Sequence, residues 1–252
     1  MKWLFIIGCC NSGTTLLEKI LHQHPNIAGL STEGQYLTEA FVRPRDIGLP
    51  RLWAQKETLF RFALNEEIQA AQQAKQDWLR QLDKPNFLYA LERSPVDAAR
   101  TLWLQHHFAP AYFIHIVRNG YVVSLGIEEK IRKIRGEIMP ELLSKAAYQW
   151  SRGLEIIIED APKLDHFLEI SYEDLTENPS KVTTHILKFL QLHPLPQKIL
   201  NQKYQVHQLH SEIKNQNKQR LSKMTSVQKR IIDQQAGKLL RQYGYKKRFI
   251  WF

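Results

Sequence analysis

Cysteine is scarce in this 252-residue chain: Cys9 and Cys10 are the only two, and they are neighbours. Adjacent cysteines rarely reach disulfide geometry. Without a distant His pattern, two Cys also make no zinc site. They read as small residues at a strand end, since a redox role would need an exposed thiol of low pKa. Long apolar runs are missing too. The first, residues 3–7, is only strand-sized, so no stable membrane insertion is expected. Only Lys2 leads that run, which passes straight into a glycine motif rather than a cleavage site. We therefore expect a first strand at the N-terminus and a cytoplasmic protein.

Acidic residues are rare near the C-terminus. The net charge is +10, and residues 203–252 hold 12 Lys+Arg against 2 Asp+Glu. A basic region attracts nucleotides, acidic substrates, nucleic acid or a membrane surface. No nucleic-acid-binding module accompanies the charge, so no nucleic-acid partner is expected. His22, His24, His207 and His210 lack clustered acids or Cys, so they read as capping or surface residues, and no metal is expected. The 249–252 tail, Phe-Ile-Trp-Phe, reads as packing groups.

What is present is an alternation of strand and helix patterns. Strands are expected at residues 3–8, 27–30, 87–91, 112–117 and 167–170. Helices are expected at 14–24, 96–107, 122–134, 140–159, 180–190 and 226–243. Residues 52–82 are rich in Ala, Gln, Leu and Glu, a helical composition. The pattern predicts one α/β domain over residues 1–252. It is a three-layer α/β/α sandwich with a mainly parallel sheet of P-loop type, and residues 35–85 form an inserted helical cap.

Gly8-Cys9-Cys10-Asn11-Ser12-Gly13-Thr14-Thr15 joins the first strand to the first helix. Glycine, four residues, then glycine is phosphate-loop spacing, in which backbone N–H groups cradle a phosphate at a helix N-terminus. Thr14 stands where a nucleoside-triphosphatase carries Lys, which argues against ATP or GTP hydrolysis.

The loop and its continuation resemble those of the sulfotransferase family, where Pro-(Arg/Lys)-Ser-Gly-Thr-Thr-Leu-Leu follows the first strand and a helix ends at His-Pro. This chain reads Cys10-Asn11-Ser12-Gly13-Thr14-Thr15-Leu16-Leu17, then His24-Pro25. Phe113-Ile114-His115-Ile116-Val117-Arg118 is similar to the family strand that ends in an Arg gripping a 3′-phosphate. Tyr172-Glu173-Asp174-Leu175 is similar to a segment whose Tyr lies near the nucleotide. The resemblance implies 3′-phosphoadenosine 5′-phosphosulfate (PAPS) as donor, adenosine 3′,5′-bisphosphate (PAP) as product and a hydroxyl-bearing acceptor such as a sugar, lipid or small metabolite. It implies donor binding by Asn11, Ser12, Gly13, Thr14, Thr15, Arg118 and Tyr172. Ser124 is a stand-in for a family Ser that would fall at position 126, which is Gly here. Lys218 and Arg220 are candidates in a basic loop, with a solvated charge run as the competing reading.

Sulfuryl transfer should follow the logic of phosphoryl transfer, with cationic or hydrogen-bonding groups around the moving group and a base for the hydroxyl. The resemblance makes Glu33 the base, with a surface-loop Glu as the competing reading. Asn11 replaces the loop's cation, so Arg93, in Glu92-Arg93-Ser94-Pro95, is expected to supply charge. Two alternatives stay open: a small-molecule kinase of the phosphate-loop class, and a homologue that binds the nucleotide without turnover. The sequence is silent on acceptor identity and oligomeric state.

Overall fold

The structure, a computed structural model, describes residues 1–136, 141–206 and 209–246. Five strands form one parallel sheet: β1 (Lys2–Ile7), β2 (Ile27–Gly29), β3 (Tyr89–Glu92), β4 (Ala111–Val117) and β5 (Phe167–Ser171), in the order β2-β3-β1-β4-β5. The helices are α1 (Thr14–Leu21), α2 (Ile68–Gln81), α3 (Thr101–His107), α4 (Gly120–Arg135), α5 (Leu142–Asp160), α6 (Tyr172–Glu177), α7 (Pro179–Phe189), α8 (Gln197–Leu200), α9 (Asn217–Leu221) and α10 (Ser226–Gln242). A short antiparallel pair, β6 (Tyr204–Val206) and β7 (Leu209–Ser211), lies apart from the sheet.

β1 and β4 are buried almost throughout, as expected for strands covered on both faces. The period of two sorts their side chains. Trp3, Phe5 and Ile7 enter one core with Trp78, Trp103, Phe108 and Phe113. Leu4 and Ile6 enter the other with Leu17, Ile20, Ile114 and Ile116. Each fully buried aliphatic contributes roughly 1.5–3 kcal/mol. A third cluster joins α4, α5 and α10 through Val123, Trp150 and Ile232.

Two expectations change. Within residues 35–85, expected as a helical cap, only Ile68–Gln81 is α-helical; short 3-10 turns cover Gly34–Tyr36 and Trp53–Leu59. Phe41, Trp53, Phe60, Ala71, Ala74 and Trp78 of this segment are core residues packed with β1. Burial of its aromatics fixes its path, which overrides the helical composition of residues 52–67. The helix expected over 96–107 is also broken, into a 3-10 turn (Pro95–Ala99) and α3. Arg100, at φ −137°, marks the break. Its guanidinium turns back to Asp97 Oδ1 at 2.7 and 2.9 Å and lies 4.0 Å from the Phe41 ring centroid. Both members of that pair are buried, so each satisfies a charge the core could not otherwise hold.

The chain runs from β1 outward to β2 and β3 on one side, then returns to place β4 and β5 on the other. The carboxyl end of β1 is therefore the point where the strand order reverses, where open α/β sheets bind ligands. The glycine loop, Glu92, Arg118 and Tyr172 all lie at this sheet edge.

Candidate functional site

The loop after β1 is built for close approach. Gly13 has φ +102°, and a Cβ there would lie 2.6 Å from Tyr172 Cδ2, so both backbone and neighbour require glycine. Gly13 N-caps α1 without a side-chain hydrogen bond, and the first turn of α1 holds no acid. The opening N–H groups of a helix have no intrahelical partner and favour an anion. Asn11, at φ 67°, leaves its Nδ2 buried and without a partner. Ser12 is 1% exposed and its Oγ is likewise unpaired; it lines a cavity of about 10 Å³ with Cys9, His115 and Trp150, roughly one water. Thr14 is buried and Thr15 half-buried on the first turn. Burial pushes the Cys10 thiol up to about 11 and raises Cys9 well above its ordinary value, so neither is a ready thiolate.

Arg118 follows β4 and reaches this loop. Nη1 donates to the Asn11 carbonyl at 2.9 Å and Nε to Asn217 Oδ1 at 2.8 Å. The guanidinium carbon lies 3.8 Å from the Tyr172 ring centroid, a cation–π stack. Arg118 is 8% exposed, and no carboxylate among the described residues lies within ion-pair distance. Burial lowers its pKa, with the Tyr172 and Glu173 side chains opposing and the nearby Arg220 adding to the fall. Glu173 acts at one remove: it accepts from the Asn119 N–H, from Asn217 Nδ2 and, at 3.0 Å, from the Tyr245 hydroxyl. The Tyr172 hydroxyl donates to the Lys214 carbonyl, which ties the 213–220 segment to the site.

Glu33 sits on the far side of the loop. Arg93 joins it: Nη1 is 3.6 Å from Glu33 Oε1, while Nε donates to Glu18 Oε2 at 3.3 Å. Gln35 Nε2 donates to Glu33 Oε2 at 2.6 Å, leaving the Gln35 Oε1 buried and unpaired. Burial raises the Glu33 pKa, and the Gln35 hydrogen bond and the Arg93 charge pull it back. The backbone here is held from β3. Glu92 accepts the Gly34 N–H at 2.7 Å, and the Trp78 indole donates to the Gly34 carbonyl at 2.9 Å. A raised carboxylate with a fixed backbone has the character of a general base.

The structure thus brings Asn11, Ser12, Gly13, Thr14, Thr15, Arg118 and Tyr172 to one end of the site, and Glu33 with Arg93 to the other. Ser124 is fully buried, and its hydroxyl donates to the Gly120 carbonyl at 2.7 Å, so its proton is engaged within α4. Position 126 is occupied differently as well: a Cβ on Gly126 would lie 3.0 Å from Asn11 Nδ2. The small residue at 126 makes room for the Asn11 amide, so the chain's two departures from the family pattern touch each other. Arg220 is spent on Glu129 at 2.7 Å, and Lys218 lies exposed beside it on α9. Asn217, Glu173, Gln35 and Glu92 escaped attention as site residues. They act on their neighbours through hydrogen bonds that close only in the fold, and only the Glu92-Arg93 pair hinted at them.

Among the described residues no group of three or more His, Cys, Asp and Glu comes together, and no helix is long and apolar enough to cross a membrane. His24 takes the Asn26 N–H and meets the His193 carbonyl, and His22 meets Asp83. His207 and the 249–252 tail lie outside the described residues, as does the side chain of His210.

The Sulfotransferase family model matches residues 4–196. This chain belongs to the sulfotransferase family. Protein-tyrosine sulfotransferase 1 of Danio rerio is 25% identical over 205 residues, 76% of this chain and 54% of its own length. The chain thus spans about half of that curated relative. The sulfotransferase domain from the Synechococcus PCC 7002 olefin synthase superposes with a TM-score of 0.59 at 20% identity, covering 98% of this chain and 96% of that domain. Mouse sulfotransferase SULT7A1, complexed with PAP, gives 0.51 at 14% identity over 95% of this chain and 85% of its own. At these identities the superpositions establish the sulfotransferase fold, an α/β sandwich on a parallel sheet.

Proposed function

We propose that this chain moves a sulfuryl group from PAPS to an acceptor hydroxyl, on a sugar, lipid or small metabolite, and releases PAP. The observation that carries the reading is Arg118, a buried guanidinium with no carboxylate among the described residues at ion-pair distance, fixed between the phosphate loop and Tyr172. A buried cation costs several kcal/mol unless an anion accompanies it, and a 3′-phosphate fits its fork. The uncapped start of α1, with the unpaired Asn11 amide, suits the 5′-phosphosulfate end. PAPS supplies an activated sulfuryl group on a good leaving phosphate.

Glu33 takes the proton of the acceptor hydroxyl as that oxygen bonds to sulfur. The S–O bond to the 5′-phosphate breaks, and its electron pair leaves with PAP. Arg93 steadies Glu33 in its charged form, and Gln35 orients it. We further propose one domain over residues 1–252, with the 35–85 segment walling the acceptor side, because Glu33 and Gln35 lead directly into it. The half-buried free thiols Cys9 and Cys10 suit a reducing compartment, the cytoplasm.

The test is PAP release from PAPS across a panel of hydroxyl acceptors in chelator, beside ATP with Mg²⁺. Acceptor-dependent PAP release in chelator is the expected result, and phosphorylation from ATP with Mg²⁺ would move the assignment to a kinase. The neutral Asn11 favours one other reading, a homologue that binds without turnover. Tight PAP binding with no release on any acceptor would be its signature.

A further inference from the structure

The loop of this chain lacks a cation where sulfuryl oxygens would gather charge; the neutral Asn11 amide stands there, beside Gly126. Resting on the donor assignment above, we propose that Arg51, from the segment between β2 and β3, supplies that missing charge and is a catalytic residue for sulfuryl transfer.

Its position is fixed by its neighbours. Leu52 is fully buried in the α4–α5 cluster, against which Leu49, Cys9 and Cys10 also pack. Trp53 lines the same cavity as Cys9 and Ser12. The 49–53 turn therefore lies against the loop it would serve. The Arg51 side chain is half-buried in that turn, and its charge opposes the effect of burial at Cys10, Glu33 and Tyr36 by favouring their ionised forms. Those three groups mark the ground between the loop and the base, which is where the group in transit must pass.

Two further observations separate Arg51 from the other cation here. Arg93 is already shared between Glu18 and Glu33. For Arg51, no carboxylate among the described residues lies within ion-pair distance. Arg51 also has φ 67°, left-handed backbone that an L side chain occupies at a cost of about 1 kcal/mol or more. Gly would relieve that strain, so stability alone does not call for Arg at this position. As the S–O bond to the acceptor forms and that to the phosphate breaks, Arg51 donates to the sulfuryl oxygens; no other reactant is needed.

The backbone strain makes the test clean. Arg51→Gly removes the charge and relaxes the turn, while Arg51→Lys keeps the charge. Thermal melting and titration with PAP and PAPS are measured for both variants and for the natural chain. The expected result for Arg51→Gly is a melting temperature equal to or above that of the natural chain, with PAP affinity kept within about twofold. PAPS affinity should fall about tenfold or more, the size of one charge-assisted hydrogen bond. Arg51→Lys should fall between. An unchanged ratio of PAPS to PAP affinity would overturn the role, as would a parallel loss of both with a lower melting temperature, which marks a structural residue. If the natural chain binds neither nucleotide, it is the donor assignment that fails, and the Arg51 role falls with it.

Discussion

The two ends of the site are built differently. At the nucleotide end, backbone makes the site: a glycine loop between β1 and α1, then residues placed one step beyond β4 and β5. At the transfer end, side chains from separated segments converge: Glu18 from α1, Glu33 and Gln35 after β2, and Glu92 and Arg93 at the close of β3, with Arg51 proposed to join them from a turn. Strand ends and glycine spacing specify the first. The second depends on the path of residues 35–67, which the buried aromatics set. Residues set by strand ends and glycine spacing keep their places when a neighbouring side chain is altered, whereas a converged side-chain site can exchange its parts. Asn11 with Gly126, and a cation arriving from elsewhere, would be such an exchange.

The largest effect should come from the transfer end. Glu33→Gln removes the proposed base and should lower turnover about 10²–10⁴-fold, while PAP affinity, measured by titration, stays near that of the natural chain. A parallel loss of PAP binding would show that the two ends are not separable. Next, Arg118→Ala should weaken PAP roughly 100-fold, as several charge-assisted bonds are lost, and leave AMP nearly unaffected. Equal loss for both nucleotides would remove the 3′-phosphate from the account.

Gly13→Ala should damage the backbone-made end by a smaller amount. The new Cβ meets Tyr172 and the φ of +102° is strained, a cost of roughly 1–3 kcal/mol. Melting temperature and PAP affinity should fall together, with little change in turnover of bound donor. The smallest effect is a shift in pH dependence. Glu33 must be deprotonated to act, and burial raises its pKa, so kcat/KM should fall on the acid side at a midpoint above the ordinary Glu value. Gln35 donates to the carboxylate and lowers that pKa, so Gln35→Leu should move the acid limb to higher pH. An acid limb that does not move would mean that a different group titrates there.

How much of this was legible beforehand follows the same division. β1, β4 and β5 were readable to within a residue or two because they are short apolar runs, and the loop because its glycines are spaced by backbone need. The places of Arg118 and Tyr172, just beyond β4 and β5, followed from those strand ends. The reading faltered where one residue answers to a distant partner. The expected helix over 96–107 broke at Arg100 because its guanidinium turns back to Asp97. Ser124 looked available from spacing alone, yet its hydroxyl serves the preceding helical turn. In the C-terminal loop, charge drew attention to Lys218 and Arg220, while the residue that holds Arg118 is the neutral Asn217.

The central claim is that Arg118 and the uncapped loop form a site for a nucleotide phosphorylated at both ends. Calorimetric titration of the purified chain with PAP and with AMP, at one fixed salt concentration, tests it most directly. The account predicts that PAP binds at least about tenfold tighter than AMP, since only PAP carries the 3′-phosphate that Arg118 would grip. Equal affinity for the two, or binding of neither, would contradict it.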